Sequence, residues 1–400
     1  MAETGRIWAG VDAGKEHHHV AALDEAGRLV LSRRVANDEL ALREVIAEVT
    51  ALAAGPPRWA IDLRDGYAAL LLALLAAGAA EIVYVPGRMV NRMTGAYRGE
   101  GKTDAKDARI IADQARMRAD LTPLAPGDEL ITELRMLVAR RTDLVTDRTR
   151  VINRLRVTMV EISPALERAL DFTRTGPLTL VSGYATPAAI RGTGQDQLTA
   201  WLRERGIRNA AALGRRAVTA ANAQTVRLPG EDVAAELAAD LAREVMALNE
   251  RIGQVDERIA ARFRRHPAAA VITSLPGIGM LLGAEFLVAT GGDMAAFSSA
   301  DHLAGYAGLA PAPRDSGRRT GSLHRPRRYN RMLNRVFYYS ALISIQHCPD
   351  SRTFYDRKRA EGKKHNQAVL ALARRRVNVV WALLRDQKPY TPSQPATTAA

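Results

Sequence analysis

The sequence predicts a mixed α/β domain at its N-terminus, two long helices after it and a mainly helical C-terminal part. Three observations carry that prediction. Residues 6–35 contain three short strand-like runs, followed by helical and strand-like segments in alternation. From Leu130 the apolar spacing changes to heptads. From Pro276 the composition turns to Gly, Arg and Ser, and the chain ends in a Pro/Thr/Ala-rich stretch.

Taken in order, Ile7–Asp12, His18–Leu23 and Leu29–Val35 read as strands, with Asp24-Glu-Ala-Gly27 as a turn between the last two. Asn37 can cap a helix running to about Ala53, with Leu42, Val45, Ile46 and Val49 on one stripe. A strand at Trp59–Ile61, a helix at Tyr67–Ala77 and a strand at Ile82–Val85 follow, and then a helix headed by Asp104. A three-stranded meander extended by alternating helices and strands is the order of a ribonuclease H-like α/β domain, here given bounds of 1–125. Residues 126–265 read as a helical, coiled-coil linker. Leu130, Leu134, Leu137, Leu144, Val151 and Leu155 form one seam, interrupted by Arg141 and Arg148. Leu241, Val245, Leu248, Ile252, Val255 and Ile259 form a second. The two helices are expected to pair as an antiparallel hairpin, within one chain or between two, or to pack in a bundle. Residues 162–230, rich in Gly, Pro and Thr, read as irregular apart from a helical piece at Asp196–Arg205, and no chemistry is assigned to them. Residues 266–387 form a mainly α C-terminal domain, and 388–400 read as a disordered tail.

Composition narrows the partners. Among 400 residues, 57 basic and 43 acidic side chains leave a net charge of +14, carried mostly by Arg. Guanidinium forks match phosphate oxygens, so nucleic acid is the leading partner. The single cysteine, Cys348, can build neither an internal disulfide nor a thiolate metal cage, which fits a reducing cytoplasm. The N-terminus lacks the pattern of a signal peptide. The longest apolar stretch, Ala68 to Ala80, is shorter than the roughly 20 residues that span a bilayer and reads as a buried helix.

Four acidic residues are the strongest chemical signal. Asp12 and Asp62 close apolar strand-like runs, while Asp104 and Asp107 lie three apart, on one face at a helix start. Clustered carboxylates repel unless a hard cation neutralises them, and Mg2+ takes oxygen ligands at about 2.0–2.1 Å while also binding phosphate. Taken alone, Asp104 and Asp107 could equally serve as helix capping and dipole partners. In the second half, Ser316 and Ser322 lie among Arg314, Arg318, Arg319, Arg325, Arg327 and Arg328 on Gly-rich backbone. Arginines could bind phosphate there and stabilise charge developing beside a serine nucleophile. Leu275-Pro-Gly-Ile-Gly279 before an apolar helix could be a plain turn, or a hairpin in which Gly277 and Gly279 let backbone N–H groups approach a phosphate. His17-His-His19 reads as a polar strand face, with His17 and His19 on one side and His18 on the other.

Several motifs together resemble the IS110 family of transposases, relatives of Piv-type DNA invertases. They are Gly10-Val-Asp-Ala-Gly-Lys-Glu-His-His18, Ala60-Ile-Asp-Leu-Arg-Asp-Gly-Tyr67, Lys102-Thr-Asp-Ala-Lys-Asp-Ala108, Leu275-Pro-Gly-Ile-Gly279, and Tyr306-Ala-Gly-Leu-Ala-Pro311 followed by Asp315-Ser-Gly317. The resemblance implies a RuvC-like N-terminal domain with an acidic DEDD tetrad, a coiled-coil linker and a C-terminal domain with a nucleophilic serine. It assigns Asp12, Asp62, Asp104 and Asp107 to the tetrad as Mg2+ ligands. It assigns the serine to Ser316, with Ser322 as the fallback. Asp62 stands where the family usually has Glu, one methylene longer; the site adjusts, Asp65 contributes, or this copy is impaired. The resemblance further implies donor and target DNA as substrates, a structured guide RNA encoded by the element, and homo-oligomers with composite sites, acting in the cytoplasm at the nucleoid.

Overall fold

The computed structural model describes residues 5–63, 66–97, 101, 103–124, 128–313, 321, 323–324 and 326–392. They divide into two compact units, Met1–Asp128 and Glu129–Ala400.

The first unit is built on one mixed sheet. Strands β1 (Trp8–Ala13), β2 (His17–Leu23) and β3 (Leu29–Ala36) form an antiparallel meander. Helix α1 (Glu39–Ala51) leads to β4 (Arg58–Ile61), parallel to β1, and α2 (Ala69–Ala77) leads to β5 (Glu81–Tyr84), parallel to β4. Helices α3 (Gly87–Met93) and α4 (Asp104–Met117) precede a two-residue strand, β6 (Thr122–Pro123), antiparallel to β5. The sheet order is β3-β2-β1-β4-β5-β6. Side chains alternate between its faces. Val11, Trp59 and Ile61 pack with Leu42, Val45 and Val49 of α1 and Leu71 and Leu75 of α2. On the other face, Ala60, Val83 and Val85 pack with Val90 of α3 and Ile110, Ile111 and Ala115 of α4. Each large side chain buried this way stabilises the fold by about 1.5–3 kcal/mol.

The element order matches the sequence reading, with local corrections. Asp38, rather than Asn37, caps α1, accepting from Ala41 N at 2.9 Å. Asn37 instead ties three segments together: its Nδ2 donates to the carbonyls of Lys15 and Tyr67 at 3.2 Å each, and its Oδ1 lies 3.1 Å from His18 Nε2. The segment expected as one helix from Tyr67 begins as a 3-10 turn, Gly66–Ala68. The short elements α3 and β6 are additions, too brief to leave a periodic signature.

Among its described residues, the second unit's regular elements are helices and one two-stranded ribbon, β7 (Ala312–Pro313) with β8 (Leu323–His324). Helices α5 (Glu129–Ile162) and α10 (Glu231–Phe263) carry the two seams and pack along their length within this one chain. Their direction is antiparallel. Glu133 lies 3.4 Å from Arg262 and Arg265, Arg141 Nε donates to Asp256 Oδ1 at 2.5 Å, and Arg148 Nη1 donates to Asn249 Oδ1 at 3.2 Å. The arginines that interrupt the first seam thus meet polar partners on the facing helix.

Residues 162–230 are not irregular. They form α6 (Pro164–Ala169), α7 (Thr175–Gly183), α8 (Pro187–Glu204) and α9 (Ala210–Asn222). The prolines suggest breaks, but Pro164 and Pro187 stand in the first turn of α6 and α8, where no N–H is needed, behind Ser163 and Thr186 as caps. A real kink does occur at Gly194, with φ of 75°, inside α8. Further along come α11 (Ala269–Ser274), α12 (Met280–Thr290), α13 (Ala300–Tyr306), α14 (Arg331–His347), α15 (Pro349–Ala360) and α16 (His365–Asp386). One apolar cluster runs through the whole unit, from Ile131 to Leu384. Cys348 is a buried free thiol. No helix among the described residues is long and apolar enough to cross a membrane.

Candidate active site

Asp12 and Asp62 stand at the C-terminal ends of two neighbouring central strands of the first unit's sheet. Val11 of β1 pairs with Ile61 of β4, so the next rung sets Asp12 beside Asp62, on parallel strands about 4.8 Å apart. Their direction follows from alternation. Gly10 packs so closely on α4 that a Cβ there would stand 2.2 Å from Ala108 O and from Ala112 N, and Asp12 is two residues further on, on the same face. Ala60 belongs to the same packed layer as Ile110 and Ile111, and Asp62 continues its alternation. Asp62 Oδ2 lies 3.8 Å from where a Cβ on Gly87, the first residue of α3, would stand. Both carboxylates therefore lie at strand C-terminal ends on the α3/α4 side.

Helix α4 brings the other two. Thr103 is its N-cap, accepting from Lys106 N at 3.2 Å, so the cap is made without either aspartate. Asp107 is only 7% exposed, and its Oδ1 has no hydrogen-bond partner. Asp104 is exposed, but its charge reaches His19, the residue directly across from Asp12 in the β1–β2 ladder. Burial lowers the pKa of His19, Asp104 opposes that shift and Arg34 adds to it. The polar strand face expected of the His run divides as alternation requires. His18 is buried on the α1/α2 side, whereas His19 faces α4 and lies 2.9 Å from Ser32 Oγ through Nε2. Sequence reading missed His19 as a neighbour of the acidic set, because only strand register pairs it with Asp12.

Among the described residues, no three carboxylate, imidazole or thiol side chains close into a preformed metal cage. The donor set is nevertheless all oxygen, and the buried Asp107 Oδ1 without a partner is an open ligand position. These residues fit a hard divalent cation such as Mg2+.

In the second unit, Ser316, Arg314, Arg318, Arg319, Arg325 and the fallback Ser322 lie outside the described residues, as does Asp65 in the first. The segment's flanks are described. Ala312 pairs with His324 and Pro313 with Leu323, so the two flanks lie side by side. Arg327 and Arg328 are exposed just beyond it. Asn330 caps α14, accepting from Leu333 N at 3.0 Å, and donates to Tyr306 Oη at 3.1 Å. Asn334 donates to Ala307 O at 2.9 Å. The Tyr306–Pro311 motif thus braces the base of the ribbon. Arg335 is committed to Glu285, at 2.5 Å.

The glycine hairpin between α11 and α12 divides its two residues. Gly277 has φ of +85°, and a Cβ there would stand 2.5 Å from Ser340 O, so α14 packing accounts for it. The space off Gly279 is open, and that residue is the N-cap of α12.

Comparison with known proteins gives this arrangement a context. The IS110 DEDD transposase model matches residues 9–164, and the model described as "Transposase IS116/IS110/IS902 family" matches residues 269–356. The chain is 58% identical to the "Insertion element IS900 uncharacterized 42 kDa protein" of Mycobacterium paratuberculosis, over 98% of each chain. It is 52% identical to the IS116 44.8 kDa protein of Streptomyces clavuligerus, over 99% of this chain and 98% of that one. The "Pilin gene-inverting protein" of Moraxella bovis is 29% identical over 36% of this chain and 46% of its own. The chain belongs to the IS110 family of insertion-sequence transposases.

Proposed function

We propose that this transposase is a Mg2+-dependent DNA recombinase that moves its own element by cutting and rejoining strands through a phosphoserine link at Ser316, Ser322 being the fallback. The observation that supports it is the meeting of Asp12 and Asp62, at neighbouring strand ends, with the α4 turn that carries Asp104 and the buried Asp107. The β3-β2-β1-β4-β5 order supports reading the first unit as ribonuclease H-like, of the RuvC type.

Asp12, Asp62, Asp104 and Asp107 would hold the metal. Bound there, Mg2+ supplies positive charge to phosphate oxygens and lowers the cost of forming an oxyanion. Ser316 Oγ attacks phosphorus: an Oγ–P bond forms as a backbone P–O bond breaks, and the proton lost by the serine balances the one gained by the leaving sugar hydroxyl. Rejoining reverses the exchange, so one phosphoester replaces another and no external energy is needed. Arg314, Arg318, Arg319, Arg325, Arg327 and Arg328, with Gly279 backbone, would hold DNA phosphates. Gly277 serves α14 packing first. The α5/α10 pair is read as a coiled coil within residues 126–265, between the two motif-bearing regions in sequence. Donor and target DNA, a guide RNA encoded by the element and a homo-oligomer complete the reading. An arginine-rich surface that grips backbone suits a protein that leaves sequence reading to base pairing.

The test is to incubate the full chain with element-end RNA, donor and target DNA and Mg2+, and to look for a protein–DNA adduct on a denaturing gel. The expected adduct disappears in Ser316→Ala. Cleavage without an adduct in either protein would replace recombination by metal-dependent hydrolysis.

A further inference from the structure

We propose that the helical insertion between the two long helices contains a second nucleic-acid contact, an arginine-lined cleft that grips a phosphodiester backbone and is built from residues other than the acidic set and the Ser316 segment. The inference rests on the proposed function only for its partner, nucleic acid.

The cleft opens where the start of α7 meets the α8–α9 turn, and its volume is about 740 Å³. Arg174, Arg205, Arg208 and Arg216 line it, with Asn209 and the single acidic residue Asp171. Four guanidinium groups against one carboxylate leave a local excess of three positive charges. Two arginines are already held in place. Arg205 stacks 3.9 Å over the ring of Trp201 and donates to Trp201 O at 3.1 Å. Arg174 lies 3.4 Å from Asp171, whose carboxylate also accepts from the Thr173 hydroxyl at 2.6 Å. Arg208 and Arg216 are exposed and have no carboxylate or ring partner among the described residues. Like charges gathered in one concavity raise the cost of the empty state, which a polyanion relieves.

The cleft's spread of forks suits phosphate groups spaced along a strand, each able to take bidentate hydrogen bonds. The cleft reads no bases, so it would add affinity and register without sequence preference. The fold supports it without help from the ligand. Leu178, Leu198, Leu202 and Leu213 bury the apolar faces of α7, α8 and α9 beneath it.

The experiment measures binding of the full chain, in EDTA, to fluorescent single-stranded DNA, duplex DNA and an RNA hairpin across a salt series. Arg208→Ala/Arg216→Ala is expected to weaken binding about tenfold or more on at least one of the three and to flatten the salt slope by about two. Arg208→Lys/Arg216→Lys should recover most of the slope. The control is Arg203→Ala/Arg215→Ala, which removes two exposed charges from α8 and α9 outside the cleft lining and should stay within about twofold of the wild type. Loss on RNA alone assigns the cleft to RNA, and loss on a DNA probe assigns it to DNA. Unchanged affinity and slope in the cleft variant, or equal loss in the control, overturns the proposal. Because EDTA removes strand cleavage from the assay, adduct formation can fail while the cleft binds, or succeed while it does not.

Discussion

Both units of this transposase bury carboxylates, and Glu285 and Asp107, one from each unit, meet the cost of burial differently. Glu285 of α12 is 2% exposed and meets Arg335 at 2.5 Å. Asp107 of α4 is 7% exposed and has no ion pair among the described residues. One oxygen of each lacks a hydrogen bond, so the contrast lies in the cation. Burial raises the pKa of Glu285, and Arg335 pulls against that rise. A buried charge must be paired or must coordinate a metal. Glu285 carries its counter-charge within the chain, whereas Asp107, in the first turn of α4, meets none among the described residues, and on the proposed function a metal supplies it.

The sharpest break in this contrast is catalytic. Asp104→Ala and Asp107→Ala should each reduce strand cleavage by well over the roughly 10–100-fold that loss of a mere supporting partner costs. Nucleic-acid affinity should remain within a fewfold of the wild type, and loss of folding instead would make α4's carboxylates structural. On the other side, Arg335→Ala should leave cleavage chemistry intact but strand Glu285. Because Arg335 is 42% exposed, we expect about 1–3 kcal/mol of destabilisation rather than the full cost of a buried pair, read by urea unfolding.

The smallest effect concerns His18. Burial lowers its pKa below 6.5, and Asn37 only partly restores it. The unfolded chain therefore binds the proton more readily. Stability from this group is fully present above about pH 6.5 and falls as pH drops below that value, by no more than about 1.4 kcal/mol per pH unit. His18→Gln should flatten this part of the stability profile, and an unchanged slope would remove His18 as its source.

The same contrast explains what could be read from the sequence. Alternating apolar residues placed β1 to β5 within a residue or two, and the acidic residues stand out because Asp12 and Asp62 close periodic strand segments while Asp104 and Asp107 open a helix. Asn37 and Asp38 are both good caps, and only three-dimensional contacts assign one to α1 and the other to His18. The Ser-Pro and Thr-Pro starts of α6 and α8 use the residues that elsewhere break helices, so the insertion reads as loop. Its arginine cleft gathers residues from 171 to 216, and the partner of Gly277 lies on α14, more than sixty residues away. Such pairings leave no local pattern. The Asp107 contrast is hidden for the same reason, since neither burial nor the absence of a cation is written in the sequence around it.

The direct measurement is thermal unfolding of the full chain in EDTA and across a Mg2+ series, beside Asp107→Asn. The wild type should gain stability with Mg2+, about 2.7 kcal/mol at a hundredfold excess over its dissociation constant. Asp107→Asn, relieved of its buried charge, should be at least as stable as the wild type in EDTA and respond little to the ion. A wild type indifferent to Mg2+, or a variant that gains as much, would contradict the claim that this carboxylate awaits a metal.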